Sequence, residues 1–179
     1  MLKRILLAGV LFLVFVPGMI RPATQTNAQV PKELVVQYQL GPRNGSSVLI
    51  APGHHDAFDS ETKERLLDTA GGPVRYAAEL SDNERATIDK AIVQTDLFTV
   101  KSDFTHLTGN QPRTTLVGSL RIVVDGNVRH IYFDEDWGRL VPGDREWWRL
   151  KYVLDVIENI LKDKDGQQNP PRRSIYRPF

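Results

Sequence analysis

From residue 32 the chain alternates. Leu34, Val36, Tyr38 and Leu40 stand against Val35, Gln37 and Gln39, the period of a half-buried strand over 32–40. The cluster Gly41-Pro42-Arg43-Asn44-Gly45 turns the chain, and Ser46 to Ala51 reads as a second strand pairing antiparallel with the first. Residues 52–59 read as a polar loop. Lys63 to Thr69 fits a strand better than a short helix, because Gly71-Gly72-Pro73 lies directly before Val74 to Leu80, which alternates again. Ser81-Asp82-Asn83-Glu84 is then a capping box: a serine whose hydroxyl can accept from the Glu84 amide, and a glutamate that can reach back to the Ser81 amide. It predicts a helix to about Thr95 that buries Ile88, Ala91 and Ile92, followed by a polar loop over 99–113 tied down by Phe104 and Leu107.

The segments 115–124 and 127–134 flank Asp125-Gly126, a preferred two-residue type I′ loop. That loop sets Val123 opposite Val128, Ile122 opposite Arg129, Arg121 opposite His130 and Leu120 opposite Ile131. Leu116, Leu120, Ile122, Ile131 and Phe133 then share a dry face; Ser119, Arg121, Val123, Val128, His130 and Tyr132 share a wet one. Asp144 is a good N-cap for a last helix over about 145–162. Trp147, Leu150, Leu154, Ile157 and Leu161 make its apolar stripe, widened by Trp148, Tyr152, Val153, Val156 and Ile160. The pattern predicts an α+β fold: an antiparallel sheet of about five or six strands with two helices packed on one face.

The N-terminus has a different pattern. Lys3 and Arg4 precede an unbroken apolar run, Ile5 to Val16, closed by Pro17-Gly18, and Thr26 and Ala28 are small residues suited to a cut after Ala28. This is the layout of a secretory signal peptide over 1–28, and the run is shorter than the ~20 residues a bilayer span needs. The expectation is a periplasmic or secreted product with no stable membrane span after cleavage. A single domain would occupy 29–165, with a flexible tail over 166–179 carrying Arg172, Arg173 and Arg177.

Composition narrows the chemistry. With no cysteine among its 179 residues, the chain can form no disulfide, iron–sulfur cluster, cysteine zinc site or lipoprotein anchor. Removing Lys3, Arg4 and Arg21 with the signal takes 23 basic residues to 20 against 22 acidic ones, so the nominal +1 becomes about −2. That balance offers nucleic acid no global basic surface. No nucleophile elbow, Walker loop or dinucleotide glycine pattern occurs, and no cofactor is implied.

Three constellations could carry function. His54, His55 and Asp56, with Asp59 nearby, are the one cluster of potential metal ligands. Adjacent imidazoles point apart, so a site would need His106, His130 or a distant carboxylate; the plain reading is a solvated loop. Asp134, Glu135 and Asp136 could be paired carboxylates or the start of a calcium loop, but no glycine and terminal glutamate follow as such a loop requires; Trp137 beside them would suit a glycan subsite. Arg121, His130 and Tyr132 on the wet face are either ordinary cross-strand pairs or a partner-binding patch.

VRYAAELSDNERATIDKAI, then Asp96-Leu97-Phe98, then the hairpin LRIVVDGNVRHIYF and the amphipathic last helix resemble the small bacterial exported proteins related to emfourin, the protealysin inhibitor, over about residues 34–161. The chain lacks the Gly-Gly-containing start after the first strand associated with that group, and no position matches a functional motif, so no binding residue is carried over. The resemblance implies a non-enzymatic protein with a peptidase as partner. The expected function is an exported non-catalytic binding module, in one form a protease inhibitor. The alternative is an envelope hydrolase or metal-dependent enzyme using the 54–59 loop or the 134–136 carboxylates.

Overall fold

The computed structural model describes residues 33–42, 55–105 and 116–168. The signal segment, the 46–51 strand, His54, His106, Leu107 and the tail arginines therefore lie outside the described residues. The fold is α+β. Among the described residues seven strands form one sheet: β1 (Leu34–Pro42), β2 (Asp56–Asp59), β3 (Glu64–Thr69), β4 (Gly72–Ala77), β5 (Asp103–Phe104), β6 (Leu116–Val124) and β7 (Asn127–Asp134), in the spatial order β4-β3-β2-β1-β6-β7-β5. Three helices accompany it: α1 (Asp82–Thr95), the single turn α2 (Trp137–Leu140) and α3 (Arg145–Gln168).

The β6–β7 register matches the turn chemistry residue for residue, from Val123↔Val128 to Leu120↔Ile131, with Asp125 and Gly126 both at positive φ as a type I′ loop demands. Ser81 and Glu84 form the reciprocal capping box, and α1 ends at Thr95. Asp96 follows in the left-handed region, and the Arg149 guanidinium donates to the Thr95 and Asp96 carbonyls, tying α3 to the end of α1.

Five expectations need correction. Among the described residues the sheet has seven strands, not five or six, and is mixed, because β5 runs parallel to β7. Three helices, not two, accompany it, because the single turn α2 forms between β7 and α3. Residues 56–59, read as loop, form β2; only Phe58 of the four is fully buried, so no alternation marks them. Residues 103–104, also read as loop, form β5, a two-residue pairing with no local signature. The last helix continues past Lys162 to Gln168, beyond the point where the tail was expected to start. On that helix Trp148 and Tyr152 are exposed, so the buried stripe is narrower than the apolar pattern.

Alternation assigns each strand residue to a side. Val36, Tyr38, Phe58, Leu67, Leu120, Ile122, Ile131 and Phe133 point inward, and nearly all join one core with Ile88, Ala91, Ile92, Leu150, Leu154, Ile157 and Leu161 from α1 and α3. The outer face carries no described helix. Val123 lies on it yet is buried, flanked in register by Val35 of β1 and Val128 of β7.

The start of α3 is pinned by one carboxylate. Asp144 Oδ1 accepts from the Glu146 and Trp147 amides at 3.0 and 3.1 Å. Its Oδ2 accepts from Trp137 Nε1 at 2.9 Å and from Lys101 Nζ at 2.5 Å. The Lys101 ammonium in turn sits 4.6 Å from the Phe104 ring centre and 4.5 Å from that of Trp137. Burial raises the Asp144 pKa, but the bonds from Lys101, Trp137 and the Trp147 amide outweigh it and bring it from 3.8 to about 2. A depressed carboxylate adds stability above its unfolded pKa and loses it as pH falls through the folded one. Asp144→Ala is expected to lower stability by about 2 kcal/mol at pH 7, the upper end for an N-cap. Thermal unfolding from pH 7 to 2 should show that gap close between about pH 4 and 2; a gap constant down to pH 2 would exclude the ionised cap as its source.

Candidate functional site

The outer face is a lattice of polar side chains held in register. Arg121 on β6 faces His130 on β7 on one side and Gln37 on β1 on the other; Gln37 faces Asp59 on β2. Hydrogen bonds link the row: Arg121 Nη1 donates to Gln37 Oε1 at 3.1 Å, and Gln37 Nε2 donates to Asp59 Oδ2 at 2.9 Å. Asp59 Oδ1 also accepts from the Glu61 and Thr62 amides, shaping the turn into β3. The His130 and Tyr132 rings lie 4.5 Å apart at 39°. Burial first, then the adjacent Arg121 guanidinium, holds the His130 imidazole below its ordinary pKa.

The structure thus brings Arg121, His130 and Tyr132 together as their spacing predicts. Beside them, the strip over β1, β2 and β3 forms a groove of about 350 Å³ lined by Gln37, Gln39, Asp59, Thr62, Glu64 and Arg75 among others. His55 also lines it. Its Nδ1 is buried with no hydrogen-bond partner among the described residues.

The remaining candidates are dispersed. Asp56 points to the helix side, accepting from the Asp68 amide at 2.9 Å and bridging to Arg65 at 3.4 Å. Asp134 is fully buried at the end of β7, whereas Asp136 is paired with Arg139 at 2.9 Å. Trp137 is buried edge-on against Phe104 with ring centres 5.8 Å apart, so its ring is not free to stack on a sugar. Among the described residues no three His, Asp or Glu side chains converge on a point where a metal ion could be held.

Between the sheet and α3 lies a second, smaller cavity, about 170 Å³, bordered by Asp56, Glu135, Tyr38, Arg65 and Glu158. Tyr38 Oη donates to Glu158 Oε1 at 3.0 Å, and burial raises the Glu158 pKa despite that bond. Beneath it Arg65, buried, forms a bidentate pair with Asp165 of α3, both contacts at 3.1 Å. The Tyr76 hydroxyl donates to the same carboxylate. No local motif marks this cluster, yet the sequence carries a signal for it: Arg65 shares the parity of Leu67, and Asp165 stands four residues beyond Leu161 on the apolar stripe.

No helix among the described residues is long and apolar enough to cross a membrane. No protein-family model matches the chain, and no curated protein matches it.

Proposed function

We propose that the chain is an exported, non-catalytic binding module whose outer sheet face receives a protein partner, a peptidase in the reading that its resemblance to emfourin-related proteins favours. One observation carries this: the inner face is committed to the core, whereas the outer face presents His130 and Tyr132, their rings 4.5 Å apart, in register with the hydrogen-bonded row Arg121–Gln37–Asp59. Arginine and tyrosine in a preorganised, half-buried setting are the side chains that dominate binding hot spots. The alternative, an envelope hydrolase, would use the cavity bordered by Glu135 and Glu158 or the groove lined by His55 and Asp59. At about 170 Å³ the first falls below the roughly 300 Å³ at which substrate pockets begin, and Asp56, Arg65 and Asp165 on its wall are bonded to one another; in the second, Asp59 is taken up by Gln37 and by the Glu61 and Thr62 amides.

The test is affinity capture from envelope extract with the full chain and with Arg121→Glu. The reversed charge is expected to lose at least about tenfold in capture of the partner, while thermal unfolding stays near that of the parent. Equal capture by both chains would remove the outer face from the reading. Loss of a hydrolytic activity in Glu158→Gln would replace the module by the enzyme.

A further inference from the structure

The two edges of the sheet are finished differently. At the β4 edge, Ala78 N donates to Lys63 O at 2.8 Å, which fixes the alternation of the β3–β4 ladder. Gly72, Val74 and Tyr76 direct their backbone groups to β3, and Pro73, Arg75 and Ala77 direct theirs outward. Pro73 has no N–H to offer, so this edge is blunted where a further strand would begin to pair.

At the other edge the same alternation leaves donors open. Glu135 N donates to Leu116 O at 3.1 Å, so the outward residues of β7 are Val128, His130, Tyr132 and Asp134. Tyr132 N is taken by Ser102 O at 2.9 Å, and β5 covers only residues 132–133. Among the described residues nothing pairs with the outward backbone of Val128 and His130. Beside them the buried Nε of Arg129 has no hydrogen-bond partner among the described residues.

Two cross-strand rows of the outer face end at these two residues. The apolar row Val35–Val123–Val128 stops at Val128, which is 56% exposed. The polar row Asp59–Gln37–Arg121–His130 stops at His130, with Arg121 as its cation. A strand added here would place one side chain against Val128 and, two positions along, another against His130 and Arg121. The first position suits a β-branched apolar residue and the second a carboxylate. Arg121 and Arg129 oppose a second copy of the same edge by like-charge repulsion, so the occupant is a partner of opposite charge.

We propose that β7 accepts an extended segment of the partner as a further, antiparallel strand at Val128–His130, recognising an acidic residue two positions from a β-branched one. This rests on the binding-module reading and specifies its mode, strand addition by backbone hydrogen bonds with side-chain rows giving selectivity.

The probe is the capped heptapeptide Thr-Val-Thr-Glu-Thr-Val-Thr; paired antiparallel with its glutamate opposite His130, it turns that glutamate's N–H to the His130 carbonyl. Titrated into the full chain, it should shift the Val128 and His130 amide resonances saturably. Replacing its glutamate by lysine, or N-methylating that glutamate, should weaken binding at least about tenfold, or 1.4 kcal/mol. Val128→Pro removes an outward N–H that β6 does not use and should weaken it equally; the N-methylated peptide gives the same information without altering the protein. Absence of saturable binding, or binding indifferent to N-methylation, overturns the proposal. Partner capture lost in Arg121→Glu but retained in Val128→Pro would overturn strand addition alone and leave the binding module standing.

Discussion

Replacing Arg65 by methionine is expected to cost about 3–5 kcal/mol of unfolding free energy, the loss typical when one member of a buried ion pair is removed. The guanidinium has no spare donor. Nε and Nη2 engage the two Asp165 oxygens, Nη1 serves the Ala57 and Leu66 carbonyls at 3.1 and 2.8 Å, and Nη2 also reaches Asp56. Only 4% of the Arg65 side chain and 1% of that of Asp165 is exposed, so solvent cannot take over for the abandoned carboxylate. Methionine fills much of the volume but takes the guanidinium away from the buried Asp165 carboxyl, which the Tyr76 hydroxyl still meets. Urea unfolding at pH 7 measures the loss. The triple variant Arg65→Met/Asp165→Leu/Tyr76→Phe removes the Arg65–Asp165 pair and the stranded hydroxyl together, leaves Asp56 on the Asp68 amide, and should recover most of it, since an ion pair exchanged whole for apolar groups is often neutral. A single variant within about 1 kcal/mol of the parent would show that the pair does not hold α3 to the sheet.

That pair also marks where the sequence was legible and where it was not. The hairpin register could be read because two independent constraints, the Asp125-Gly126 turn and the alternation of Leu120, Ile122, Ile131 and Phe133, select one pairing. The α1 start could be read because its cap is made by residues three apart. The Arg121–His130–Tyr132 patch followed from the same register. Elements defined by distant partners were not readable: β2 is a strand because β1 and β3 flank it, and β5 because Tyr132 and Phe133 accept it. The last helix outruns Gly166 because a lone glycine stops a helix only when it turns left-handed, and Arg65, a hundred residues earlier in the chain, holds Asp165 in place. Asp56 looked like a ligand because its role, accepting from Arg65 and from the Asp68 amide, depends on tertiary pairing.

Gly118→Ala sets local propensity against packing, and packing is expected to win by about 3 kcal/mol of destabilisation, the upper end for an overfilled core. On propensity alone, alanine in a strand interior should gain roughly 0.5–1 kcal/mol over glycine by restricting the unfolded chain. Gly118 stands opposite Phe133, however, and a methyl group there would lie 2.1 Å from Phe133 Cζ and 2.4 Å from Cε2. The ring has nowhere to go. Phe133 packs on Trp147 with centres 6.4 Å apart, Trp147 on Phe104 at 5.7 Å, and Phe104 on Trp137. Trp147 is itself pressed against Gly138, where an added Cβ would meet its Nε1 at 2.3 Å. The glycines are thus the clearance that lets an aromatic layer close the end of the sheet under α2 and the start of α3. Phe133→Leu alone should cost about 1.5 kcal/mol as a truncated core side chain, yet combined with Gly118→Ala it should cost less than the sum, because the shorter side chain vacates the space the methyl group needs. Urea unfolding of the four chains in this cycle reads the coupling directly. Additive losses, or a Gly118→Ala chain as stable as the parent, would show that Phe133 can turn aside and that the layer is not the rigid wedge its geometry describes.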